Sequence, residues 1–362
     1  MNYKISKGEH TPAYLQLYSQ IKDDIINEVY PFNSKLPSKR IVSEETGISI
    51  ITVEHAYTLL CEEGYIEARP RSGYFVSFSG EDGFASSPKG HIHYDGVDEN
   101  SKATRYKFPF SVLAKTIRKV TADLDSDILN SSPNFGCVEF REAIRQYLAR
   151  SRSINSTVDQ IIIGSGAEYL YGLLTEVLGK NCIYAIEEPS YQKIEQVYLA
   201  KGISIEKLKL TSDGVDSIDL QSTKAKILHI SPYRSFPSGV SASVTKRQEY
   251  INWANAGDRY IIEDDFESEF SVERKAEATV FSLATEDNVI YMNTFSQTIS
   301  PSLRVAYMVL PKRLIGAFED KVGFYACTVP TFIQFVLTEL IDSGNFERHI
   351  NRVRHQKRKE LK

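Results

Sequence analysis

Three short stretches of the 362-residue chain carry side chains suited to holding a small anionic ligand. Gly164-Ser165-Gly166-Ala167-Glu168 has the small residues of a strand-to-helix turn, where backbone N–H groups and a helix start can face a phosphate. Glu263-Asp264-Asp265-Phe266-Glu267-Ser268-Glu269 is an acidic run, which taken alone reads as a solvated loop. Thr294-Phe295-Ser296-Gln297 is followed, seven residues beyond Gln297, by Arg304, whose guanidinium suits phosphate oxygens. Gln297 ends in an amide and supplies no nucleophilic amine.

These residues need a framework, and the surrounding pattern provides one. Apolar runs of strand length at 160–164, 182–186, 226–230, 260–263, 289–294 and 305–310 alternate with helical periods at 138–150, 167–178 and 190–201. That alternation predicts an α/β body with a mostly parallel sheet wrapped by helices and ligand groups at the strand ends.

The first 78 residues follow a different pattern. Leu17, Ile21, Ile25 and Val29 mark one face of a helix over 14–28, which Pro31 and Asn33 break. Ser38 caps a second helix that Gly47 ends, and Ser49 caps a third running to about Glu63 with Val53, Ala56, Tyr57 and Leu60 inward. Two β-like runs, 65–68 and 74–76, flank Arg69-Pro70-Arg71-Ser72-Gly73. Three helices and a hairpin predict an α+β winged helix-turn-helix. The chain is thus expected to be multidomain: 1–78 for DNA, a Ser-, Gly- and Pro-bearing flexible linker over 79–105, and a body over 106–362.

Composition narrows the class. Apolar residues make up 42% and charged residues 25%, as in ordinary globular proteins, and no apolar run is long enough to span a membrane. Cys61, Cys137, Cys182 and Cys327 lack metal-ligand spacing, so no metal is expected and a reduced cytoplasmic setting is. Net charge is −4, and residues 1–78 hold eight Lys or Arg against ten acids, so DNA contact must come from local placement.

The N-terminal wording resembles the GntR family of bacterial repressors, through Leu36-Pro37-Ser38-Lys39-Arg40, Gly47-Ile48-Ser49, Thr52-Val53, Glu63-Gly64-Tyr65 and Arg71-Ser72-Gly73-Tyr74. The resemblance implies that Ser38, Lys39 and Arg40 meet phosphates. Ser49, Thr52 and His55 would belong to the recognition helix, and Arg69, Arg71 and Gly73 to the wing. Where that family usually has an Arg after the capping Ser, this chain has Ile50.

The body resembles fold-type-I aminotransferases that use pyridoxal phosphate. By that resemblance Ser165, Gly166, Ala167, Ser296 and Arg304 form a phosphate cup, Tyr191 stacks on the pyridine ring, and Asp264 pairs with its nitrogen. Phe266 stands where the family has a phenolate-binding Tyr, and Gln297 where it has the Schiff-base Lys, so the cofactor would be held non-covalently and catalysis lost. The basic segment 346–362 reads as a solvated helix face, and the chain is expected to lack the family's small C-terminal domain. Head, linker and body together resemble the MocR (PdxR/GabR) subfamily. This implies a homodimeric transcription regulator that binds a DNA operator and senses pyridoxal phosphate or an amino compound. The alternatives are an active aminotransferase, which Gln297 disfavours, and a truncated relic.

Overall fold

A computed structural model describes residues 3–6, 11–79, 106–272 and 277–360. The chain divides into two compact units, Met1–Asp95 and Gly96–Lys362. From residue 80 on, the expected linker lies outside the described residues.

In the first unit, α1 (Ala13–Ile26), α2 (Lys39–Thr46) and α3 (Ile50–Glu62) are followed by the antiparallel pair β1 (Ile66–Arg69) and β2 (Gly73–Val76). The caps are those the sequence implies. Ser38 Oγ accepts from the Ile41 N–H at 3.4 Å, Ser49 Oγ from the Thr52 N–H at 3.1 Å, and Gly47 turns the chain at φ +68°. Val53, Ala56, Tyr57 and Leu60 are fully buried against Leu17, Ile21, Ile25 and Val42. Burial of each large side chain there contributes about 1.5–3 kcal/mol. Val29 departs from the expectation. α1 stops at Ile26, Glu28 turns to φ +58°, and Val29 is 61% exposed. Lys35, bridged to Phe75, lays a third segment against the hairpin.

The second unit begins with α4 (Phe110–Leu124), α5 (Val138–Arg152), β3 (Ile161–Gly164) and α6 (Ala167–Leu178). β4 (Ile183–Glu188), α7 (Gln192–Ala200), β5 (Ser204–Thr211), β6 (Gly214–Val215) and α8 (Ser217–Ser222) follow. Then come β7 (Ile227–Ile230), α9 (Val244–Asn255), β8 (Tyr260–Asp264), α10 (Val280–Leu283), β9 (Val289–Thr294) and β10 (Ala306–Val309). α11 (Lys312–Val322), α12 (Thr331–Asp342) and α13 (Asn345–Glu360) complete it.

The eight strands run in the order β3-β10-β9-β8-β7-β4-β5-β6, parallel except for β10 and β6. Alternate side chains serve opposite layers. Ile161, Ile163, Tyr291 and Tyr307 pack beneath α5, α12 and α13, while Ile162, Ile290, Met292 and Met308 pack beneath α6 and α11. The strands β5 and β6 escape sequence reading, because Glu206, Lys207 and Lys209 dilute β5 and only Leu208 of it is fully buried.

α13 is less solvated than its composition implies. Phe346, His349, Ile350 and Val353 are buried, and Arg354 and Arg358 donate to the carbonyls of Glu269 and Val272 at 2.6 and 2.7 Å.

Candidate functional site

Strand register brings the separated stretches of the body together. Ala306, which opens β10, pairs with Gly164 at the end of β3 and with Thr294 at the end of β9. Arg304, two residues earlier and at φ +50°, is therefore delivered to the turn between β3 and α6. Its Nη2 donates to Glu168 Oε2 at 2.7 Å. Gly166 sits at φ +102°, a conformation that strains any other residue, and a Cβ there would come within 3.0 Å of that guanidinium. The Ser165 N–H donates to Thr328 Oγ1 at 3.1 Å and the Gly166 N–H to the Gly164 carbonyl at 2.9 Å. The donors available to an anion are those of the first turn of α6, from Ala167.

Asp264 ends β8 and is 4% exposed. The Tyr171 hydroxyl donates to its carboxylate, and His229 Nε2 lies 3.8 Å from Oδ2. His229 is fixed in turn by the Tyr198 hydroxyl, 2.7 Å from Nδ1, and its Nε2 makes no hydrogen bond. Tyr171 and Glu168 were not singled out in the sequence as partners of Asp264 and Arg304. Helical spacing places Glu168 and Tyr171 on neighbouring positions of α6, and that is the signal that could have found them.

The acidic run is not a solvated loop. Glu263, Asp264, Asp265 and Glu269 are all buried, the first two in the interior strand β8. Glu263 accepts from the N–H groups of Val280 and Phe281, each at 2.8 Å, and burial pushes its carboxyl up to about 7. Asp265 accepts from the Tyr291 hydroxyl at 2.8 Å and lies 3.5 Å from Arg152 Nε. Glu269 accepts from Asn293 at 2.7 Å, with its carboxyl raised to about 7 by burial. Alternation along β8 turns Glu263 and Asp265 away from the Asp264 side. The cavity on that far side, lined by Arg152, Arg247, Glu263 and Asp265, is about 10 Å³, room for one water.

Tyr191 immediately precedes α7, is 38% exposed, and meets Phe236 edge to face at 6.1 Å. Phe266 and Ser296 are half-buried, the Ser296 N–H donating to Thr294 Oγ1 at 3.1 Å, while Gln297 is exposed. Glu187, also not singled out, accepts from the Ser231 N–H at 3.2 Å and Ser235 Oγ at 2.6 Å. Burial pushes its carboxyl up to about 7. No group of His, Cys, Asp and Glu among the described residues has metal-binding geometry.

In the first unit, Ser38, Arg40, Ser49, His55, Arg69 and Arg71 are exposed. Several have partners within the chain. Lys39 pairs with Glu54 at 2.5 Å, Arg40 with Glu44 at 3.1 Å, and Arg69 with Glu67 and Asn33, both at 2.6 Å. Exposed pairs of this kind are worth under about 1 kcal/mol and exchange readily for phosphates. The Ser49 and Thr52 hydroxyls pair with each other at 2.8 Å, and Ser49 Oγ also caps α3. His55 meets Tyr14 edge to face at 5.9 Å. Gly73, at φ +107°, would bring a Cβ within 3.1 Å of Lys35 Cε, which places Lys35, another cation not singled out earlier, on the wing.

Residues 13–76 match the family described as bacterial regulatory proteins, gntR family, and residues 96–361 match aminotransferase class I and II. The chain is 30% identical to the Bacillus subtilis HTH-type transcriptional regulator YdeL, itself uncharacterized, over 96% of this chain and 77% of that protein. It is 25% identical to the probable rhizopine catabolism regulatory protein MocR of Rhizobium meliloti, over 97% and 76%. It is 24% identical to the pyridoxine biosynthesis transcriptional regulator PdxR of Corynebacterium glutamicum, over 97% and 78%. Among solved structures, the body shares the fold of Pyrococcus horikoshii kynurenine aminotransferase, with a TM-score of 0.63 and 24% identity. That match covers 68% of this chain and 64% of the enzyme, just under two thirds of its length.

Proposed function

The chain belongs to the aminotransferase class I and II family through its body and to the gntR family of bacterial regulators through its head, and from that premise we propose that it is a DNA-binding transcription regulator whose body senses a ligand without turning it over. The observation that carries this reading is the pairing, on one chain, of an exposed recognition helix with a ligand site whose position 297 ends in an amide. Relatives named as transcription regulators match nearly all of it, which supports the same reading.

The residues present fit pyridoxal phosphate held without a covalent bond. Gly166 leaves a cradle under Arg304 that a Cβ would fill, and the start of α6 adds N–H donors for a phosphate. Asp264, oriented by Tyr171, offers a buried carboxylate to a protonated ring nitrogen, and Tyr191 an exposed ring face. When bound, that cofactor supplies an electron-withdrawing ring and a carbonyl. Gln297 supplies no amine to relay a proton, and Phe266 no hydroxyl, so turnover is not expected. Ligand binding would act by favouring one of two arrangements of the protein.

A gel-shift assay with the chain's own upstream region tests the proposal. A retarded band at low salt, altered by pyridoxal phosphate, is expected, and absence of any band overturns it.

A further inference from the structure

Recognition helix α3 presents an apolar tip where a DNA-reading helix is expected to be polar. Ile51 is 66% exposed and Ile50 50% exposed. With 3.6 residues per turn, Ile51, His55, Thr58 and Glu62 form one stripe, opposite the buried Val53, Ala56, Tyr57 and Leu60. Ile51 therefore lies at the N-terminal end of the face turned directly away from the core. Ile50 flanks it on the side of Glu54, which Lys39 neutralises. The neighbouring hydroxyls of Ser49 and Thr52 are occupied with each other.

Leaving two isoleucines in water at a helix tip forgoes burial that the rest of the unit achieves. Major-groove DNA offers one apolar group to such a tip, the thymine 5-methyl, and Lys39, held beside α3 by Glu54, is a cation that can exchange that partner for a phosphate. Resting on the regulator reading above, we infer that Ile51, flanked by Ile50, reads thymine by contact with its 5-methyl group. The operator half-site then contains a thymine, or a short A·T run, at the position under the tip of α3.

The test uses the full chain and a random duplex DNA pool. Bound duplexes are selected, and affinity is compared for duplexes carrying thymine or deoxyuridine at each enriched position, which differ by that methyl alone. One position is expected to lose about fourfold on exchange for deoxyuridine, the worth of one buried methyl. Ile51→Ala, a surface change, should erase that difference. Equal binding of both duplexes by the unaltered protein, or an equal loss on both for Ile51→Ala, overturns the inference and leaves the regulator reading standing. Failure of any duplex to enrich at low salt overturns the regulator reading itself.

Discussion

Arg304 Nη2 donates to Glu168 Oε2 at 2.7 Å directly above Gly166. The guanidinium that would receive a phosphate is thus already satisfied by a carboxylate of the same chain. Both side chains are partly exposed, so the pair is worth under about 1 kcal/mol and a dianion can displace it. Glu168→Gln should therefore tighten phosphate and pyridoxal phosphate binding by up to about fivefold, and Arg304→Ala should weaken it by at least about tenfold. Calorimetric titration of inorganic phosphate and of pyridoxal phosphate reads both.

Gln297 sets the second prediction. Borohydride treatment of the protein with pyridoxal phosphate should leave no reduced adduct at residue 297, by peptide mapping. Gln297→Lys places an amine at this exposed position and should acquire one.

Glu187 makes stability depend on pH. Its carboxyl, ordinarily near 4.5, rises to about 7 because it is buried. Between those values the folded protein holds a proton that the unfolded chain releases. Its contribution to stability is therefore complete below about pH 4.5 and is lost as pH rises through about 7. Glu187→Gln keeps a neutral acceptor for Ser231 and Ser235. It should match the parent near pH 5 and exceed it at pH 8 by an amount on the order of 3 kcal/mol, seen in denaturant melts at the two pH values. His349, lowered to about 4 by burial, acts in the opposite direction as pH falls below its ordinary 6.5.

Arg71, exposed at the wing tip with φ +61°, should contribute to affinity without contributing to sequence choice. Arg71→Ala is expected to weaken binding to all duplexes alike and to lower the slope of log affinity against log salt by about one. Fluorescence anisotropy at several salt concentrations measures this.

Ser49→Ala removes the cap of α3 and should destabilise the N-terminal unit by about 1 kcal/mol, read as a shift of its denaturant midpoint.

Local rules carried the sequence reading a long way. The inner face of α3 and its serine cap follow from spacing, and α6 begins and ends at the expected residues. Asp264 ends β8, Ser296 follows β9 and Arg304 precedes β10, so three stretches distant in sequence lie at the ends of neighbouring strands. What escaped depends on contacts distant in sequence. Nothing local in Glu263–Glu269 distinguishes a buried acidic network from a wet loop, because Arg152, Tyr291 and Asn293 that satisfy it come from elsewhere. Glu168 likewise reads as an ordinary helix-start acid until β10 delivers Arg304 to it.

The two arginine contacts from α13 to the main chain at Glu269 and Val272 bear on proteolysis. A cut in the short connection before Asn345 would leave α13 fastened by Arg354, Arg358 and its buried face. The nicked protein would then migrate as one species until denatured, and release of the fragment would report the opening of the acidic loop beside Asp264.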